Sequence, residues 1–128
     1  MAHLIFECTD NLEADGDIPG LLKKANLAML EQGVFPPGGI RSRAIMLRHY
    51  CVAEGEHDDA FVHASVKIGA GRSPEAVRGT ANAVFEVMKA HFATLYARRT
   101  LALSLEISEF SESGTLKHNN IHARYRKD

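Results

Sequence analysis

Cysteine is scarce. Cys8 and Cys51 are the only two in 128 residues, and neither stands in a C-x-x-C or similar spacing. That pattern excludes a disulfide framework and a cysteine-based metal centre, and predicts two reduced, partly buried thiols. An excess of charge of either sign is also missing: 15 Lys and Arg stand against 16 Asp and Glu. No basic stripe is left for nucleic acid, and no highly charged tail. No apolar run approaches the ~20 residues that cross a bilayer, nor does a basic segment and apolar core open the chain. The expectation is a cytoplasmic protein with neither membrane nor nucleic-acid partner, folded as a single domain over residues 1–128.

What is present is regular patterning. Residues 3–9, HLIFECT, are β-branched and aromatic enough for a strand. Asp17 precedes IPGLLKKANLAMLEQG, where Ile18, Leu21, Leu22, Ala25 and Met29 share a helical face and Gly33 supplies the stop. FPPGG at 35–39 is a turn, and IRSRAIMLRHYCVA from Ile40 predicts a long strand with Arg41 and Arg43 on one face. AFVHASVKIG at 60–69 alternates as a third strand. Ser73 and Pro74 then cap a second helix, whose apolar stripe runs from Val77 through Phe92 to Leu95. LALSLEISEF at 101–110 is the fourth strand.

The order strand, helix, strand therefore occurs twice. Each β-α-β unit requires parallel strands and a right-handed crossover, which puts both helices on one face of a four-stranded sheet. The opposite face is then expected to be apolar and uncovered apart from the tail containing IHARYR. Oligomerisation is the simplest remedy, the alternative being that tail and loops suffice.

Few residues invite chemistry. Arg72, in IGAGRSPEAVRG, sits where a strand passes into a helix amino terminus, a place that favours an anion. It can clamp a carboxylate or merely make a surface ion pair. Arg41 and Arg43 could join it around a polyanionic small molecule, or be solvated edge-strand charges. GAGRS lacks the Walker lysine and the G-x-G-x-x-G pattern, so a nucleotide is disfavoured. His118 and His122 are four apart, and His57 and His63 six apart, but no carboxylate completes a zinc signature. No G-x-S-x-G marks a nucleophile.

Five stretches in order, HLIFECTDN, GVFPPGGIRSR, FVHASVKIGAGRS, LALSLEISE and KHNNIHA, resemble the 5-carboxymethyl-2-hydroxymuconate isomerase family of the 4-oxalocrotonate tautomerase superfamily, over nearly the whole chain. The resemblance implies an α+β two-layer sandwich with a mixed sheet, a homotrimer, and a cofactor-free isomerase acting on 5-carboxymethyl-2-hydroxymuconate or a similar polycarboxylate in aromatic-compound (homoprotocatechuate) catabolism. In that family an amino-terminal proline, exposed by loss of methionine, is the base, and arginines hold substrate carboxylates. Arg41 and Arg72 match those arginines by position, with Arg43 in support.

The position expected to carry proline is Ala2. Its amine, once exposed, is primary, and an apolar pocket with nearby arginines lowers the ordinary α-amino pKa of ~7.7–8.0 towards a working base. With Met1 retained, the Ala2 nitrogen is instead a non-basic amide. Two rival readings therefore stand beside the isomerase. One is a weak or inactive homologue that binds carboxylates. The other is a tautomerase of another 2-hydroxy or 2-oxo acid that uses water or His63 as base.

Overall fold

A computed structural model describes residues 1–126. Four strands, β1 (Ala2–Thr9), β2 (Ile40–Leu47), β3 (Ala60–Gly69) and β4 (Leu101–Phe110), alternate with helices α1 (Ile18–Glu31), α2 (Pro74–His91) and α3 (Ala93–Arg98). The sheet order is β2-β1-β3-β4. β1 runs parallel to β2 and β3 parallel to β4, while the two halves meet through antiparallel β1 and β3. The duplicated unit and its parallel pairs are as the sequence predicts.

The helix starts follow from their caps. Asp17 takes a left-handed φ of 45° and its carboxylate accepts the Gly20 N–H at 3.3 Å. Ser73 Oγ accepts the Ala76 N–H at 3.1 Å, satisfying one of the donors that a helix amino end leaves free. Beyond α1, Gly33 sits at φ 73°, a backbone that favours glycine. One core lies between the helices and the inward side of the sheet. Ala2, Leu4, Phe6 and Cys8 of β1 and Val62, Ala64 and Ile68 of β3 are fully enclosed there with Leu21, Val84 and Met88.

Four expectations are corrected. β2 stops at Leu47 instead of running on to Ala53, because its only neighbour, β1, leaves the sheet after Thr9, the partner of Leu47. An edge strand without that neighbour has nothing to pair with, and the chain turns away through Ala53 at φ 52° and Gly55 at φ 81°. The stripe from Val77 to Leu95 is divided between two helices at Phe92 (φ −98°, ψ 11°), although Phe92 and Leu95 both remain buried. The thiols are unlike each other: Cys8 is buried and Cys51 exposed.

The face without helices is mixed and not, as expected, apolar throughout. Across the strands its rows read Arg41, His3, Lys67, Ser108 and then Arg43, Ile5, Ser65, Glu106. Polar and charged side chains fill these two rows, while Ile5, Ile45, Leu47, Phe61 and Phe110 on the same face are apolar. The tail packs elsewhere, its short 3-10 turn Ile121–Tyr125 lying on the 3-10 turn Pro37–Gly39 at one end of the sheet.

Candidate active site

Strand directions decide which residues can meet. Parallel β1 and β2 begin at the same end, Ala2 opposite Ile40, and antiparallel β3 finishes there, Ile68 opposite Ala2. The chain start, Arg41 and the β3–α2 loop carrying Arg72 are thereby gathered at that end. The turn Pro37–Gly39 and the tail join them. A cleft of about 270 Å³ results, lined by Met1, Pro36, Arg41, Lys117, Asn119 and His122.

Two adjacent glycines make this approach possible. A Cβ on Gly39 would lie 3.2 Å from Met1 Cα, 3.3 Å from the Met1 amine and 3.5 Å from His122 Cε1. On Gly38 it would lie 2.9 Å from both the backbone nitrogen and Nδ1 of His122, closer than side chains normally come. The tail is tied to the same turn by Asn119, whose Nδ2 donates to the Gly38 carbonyl at 2.9 Å and whose Oδ1 accepts the Ile121 N–H at 2.7 Å. Amine, imidazole and tail thus share one glycine floor.

The Met1 amine is the most strongly influenced group in the cleft. Burial first, then the charges of Lys117, Arg72 and Arg41, hold its pKa below the ordinary value of 8.0. Each effect disfavours the ammonium form. An amine whose unprotonated form is favoured in this way, beside three cations, is equipped to remove a proton from an anionic molecule that those cations hold.

Arg72 is engaged with the protein itself. Its Nε and Nη2 donate to the Val34 carbonyl at 3.2 and 2.9 Å, and Nη1 donates to the Gly69 carbonyl at 3.0 Å. The guanidinium also lies over the Phe35 ring, 4.3 Å from its centroid. Those three bonds leave two of its five N–H groups for a ligand. Arg72 therefore staples the β3–α2 loop to the loop before Pro36, in addition to placing positive charge near the amine. Arg41 has no hydrogen-bond or ion-pair partner among the described residues.

Ala2 is completely enclosed at the start of β1, and in the chain that carries Met1 its nitrogen is a peptide amide. Arg43 lies on the open sheet face with Nη1 3.0 Å from His3 Nδ1, away from the cleft lining. Desolvation, followed by Arg43, Arg41, the chain terminus and Lys67, lowers the His3 pKa. His63 is not brought to the amine. It sits five residues back along β3 from Ile68, ~16 Å at strand rise, with Nδ1 2.7 Å from Ser104 Oγ. Among the described residues no three His, Cys, Asp or Glu side chains converge as a metal site.

Residue-by-residue reading missed the cleft roles of Lys117, Asn119 and His122. The run KHNNIHA holds all three, but its polar composition has no periodicity that would place it in space.

The model of the family described as 5-carboxymethyl-2-hydroxymuconate isomerase matches residues 2–125. The chain is 44% identical over 126 residues to the 5-carboxymethyl-2-hydroxymuconate Delta-isomerase of Escherichia coli, covering 98% of this chain and 100% of that one. It is similar to the crystal structure of a 5-carboxymethyl-2-hydroxymuconate isomerase from Deinococcus radiodurans R1, at 53% identity and a TM-score of 0.93, over 98% of this chain and 95% of that one. A fused 4-OT symmetric trimer shares the fold alone, at 16% identity and a TM-score of 0.63 over 89% of this chain and 94% of that one.

Proposed function

This chain belongs to the 5-carboxymethyl-2-hydroxymuconate isomerase family, and we propose that it isomerises 5-carboxymethyl-2-hydroxymuconate or a similar unsaturated polycarboxylate in the breakdown of aromatic compounds. The observation that carries this reading is the chain-terminal amine, its pKa lowered, beside Lys117, Arg72 and Arg41. The cations orient the carboxylates and neutralise their charge. The amine removes the proton of the 2-hydroxyl, the double bonds shift along the chain, and the same proton is delivered to a distant carbon. The 2-hydroxy group ends as a 2-oxo group, and the dienolate formed on the way is stabilised by the fixed positive charges. Neither step requires a cofactor.

The base is the α-amine at the chain start, that of Ala2 once Met1 is removed. Met1 lines the cleft, so its loss also enlarges the space for substrate. Arg41 and Arg72 bind substrate carboxylates, Arg72 through its two remaining N–H groups, and Arg43 supports them by ordering His3. The working form is a cytoplasmic homotrimer of single-domain subunits. Support for assembly comes from the broad sheet face that no helix covers and from the symmetric trimer built on the same fold. Sedimentation of the purified protein at three times the chain mass is the expected result.

The deciding experiment is ultraviolet-monitored turnover of 5-carboxymethyl-2-hydroxymuconate, with the amino terminus defined by intact mass. Turnover by chains starting at Ala2 and its loss in chains retaining Met1 would support the assignment. Equal turnover by both forms would remove Ala2 as the base, and no turnover by either would favour a carboxylate-binding homologue.

A further inference from the structure

The molecule these relatives are named for carries three carboxylates, two from the muconate and one on the carboxymethyl arm. The family resemblance supplies two arginines. The cleft supplies a third cation, Lys117, in a segment to which residue-by-residue reading assigned no role.

Lys117 is exposed and forms no ion pair with any described residue, yet its surroundings are fixed. Asn119, two residues on, is bonded to the Gly38 carbonyl and to the Ile121 N–H, and His122 packs on Gly38 and Gly39. The tail is thus held across the cleft, with Lys117 and Arg41 both in its lining. Arg72 is half committed to Val34 and Gly69, which limits it to one carboxylate. A lysine ammonium is a compact charge on a flexible stem, suited to an arm that projects from a conjugated chain.

Resting on the isomerase reading above, we propose that Lys117 binds the carboxymethyl carboxylate and so makes the site selective for a tricarboxylate over the same skeleton with two carboxylates. The remaining two carboxylates fall to Arg41 and Arg72. Lys117 is then the specificity residue, and the tail that carries it is part of the site.

The test compares 5-carboxymethyl-2-hydroxymuconate with 2-hydroxymuconate, which lacks the arm, in wild type, Lys117→Gln and Lys117→Arg. Assays are run on the alkaline plateau of each protein, so that differences in amine protonation drop out. The expected result for Lys117→Gln is a KM about tenfold or more higher for the tricarboxylate and within about twofold for the dicarboxylate, with substantial rescue in Lys117→Arg. An equal loss on both substrates, or none on either, overturns the proposal.

A second measurement separates it from the isomerase reading. Calorimetric binding is compared for 2-hydroxyadipate and its 5-carboxymethyl derivative, saturated compounds that cannot isomerise. A wild-type preference for the tricarboxylate that is lost in Lys117→Gln supports the assignment even if no turnover is found. No preference in wild type, or one that survives in the variant, sinks it.

Discussion

Arg72 and Val34 form a forked pair, with Nε and Nη2 of the guanidinium both directed at the one carbonyl oxygen, at 3.2 and 2.9 Å. Val34 lies two residues before Pro36 of the cleft lining, and Arg72 immediately before the Ser73 cap of α2. The fork therefore fixes the distance between two loops from different β-α-β units. It also holds the Arg72 charge near the chain start. Scaffold and site are linked through one side chain.

Removing that fork should affect stability and catalysis together. Arg72→Ala leaves the Val34 and Gly69 carbonyls without these donors, and a loss of about 1–3 kcal/mol is expected. A fall in kcat/KM should accompany it. Arg72→Lys keeps the charge but not the planar fork, so it should recover more activity than stability. Urea unfolding midpoints and steady-state kinetics on both variants provide the check. A stability equal to wild type in Arg72→Ala would show that the guanidinium does not hold these loops in solution.

Gly39 and Gly38 should respond differently to a methyl group. At Gly39 the added carbon meets the Met1 amine and His122 Cε1 at 3.3 and 3.5 Å, distances that small shifts can absorb. Gly39→Ala should fold with a change below about 1 kcal/mol while losing activity, because the methyl group takes up space at the chain start, in the cleft where the base has to work. At Gly38 the added carbon meets backbone, the His122 nitrogen at 2.9 Å. Overpacking of that kind costs about 1–3 kcal/mol. Hydrogen exchange at the Ile121 amide should quicken in Gly38→Ala as the tail lifts, and an unaltered rate would show that the tail is not seated on Gly38.

The extent to which the sequence discloses this molecule follows from what each residue depends on. Strands with strict alternation, such as Val62 to Ile68, and helix starts with local caps, such as Ser73 and Asp17, carry their own signal and appear where expected. The end of β2 depends on where β1 leaves the sheet, a fact belonging to another segment. The composition of the open face depends on register, which aligns Arg41, His3 and Lys67 in one row only after the strands are paired. At the site, the family motif singles out Arg41 and Arg72, but their proximity to the amine comes from strand direction. Lys117 is still less legible, since it reaches the cleft through an irregular tail placed by two glycines and an asparagine.

The two thiols should be chemically distinct. Burial pushes the Cys8 thiol up to about 11, and it has no exposed surface, whereas Cys51 is exposed. A neutral-pH thiol reagent should label one cysteine per native chain and the second only after unfolding. Mass mapping should find the label on Cys51, and rapid modification of Cys8 in native protein would contradict the packing of β1 against the helices.

Replacing Ala2 with proline tests the base directly. The position opens β1, where proline is tolerated because a chain-terminal nitrogen need not donate to the ladder. Processed to the new start, Ala2→Pro presents the secondary amine that the family resemblance implies. An increase in kcat of about tenfold or more is expected if that nitrogen moves the proton. An unchanged kcat with intact turnover would assign the proton transfer to another group.

Activity should depend on pH through the protonation of the terminal amine. A general base works unprotonated, so kcat/KM should rise with pH and level off once the amine is neutral. Burial and three cations hold the Met1 amine pKa below 8.0, and the Ala2 amine exposed by loss of Met1 opens beside the same cations, so the midpoint of that rise should fall below the ordinary α-amino value. Lys117→Gln removes the largest of the three charge effects while leaving the burial, so its midpoint should move upward towards the ordinary value. Less base is then available at neutral pH, and activity there falls for every substrate, unlike the selective KM effect on the alkaline plateau. A midpoint that does not move would show that Lys117 lies too far from the amine to influence it. Acetylation of the terminus should abolish the rise by removing the base.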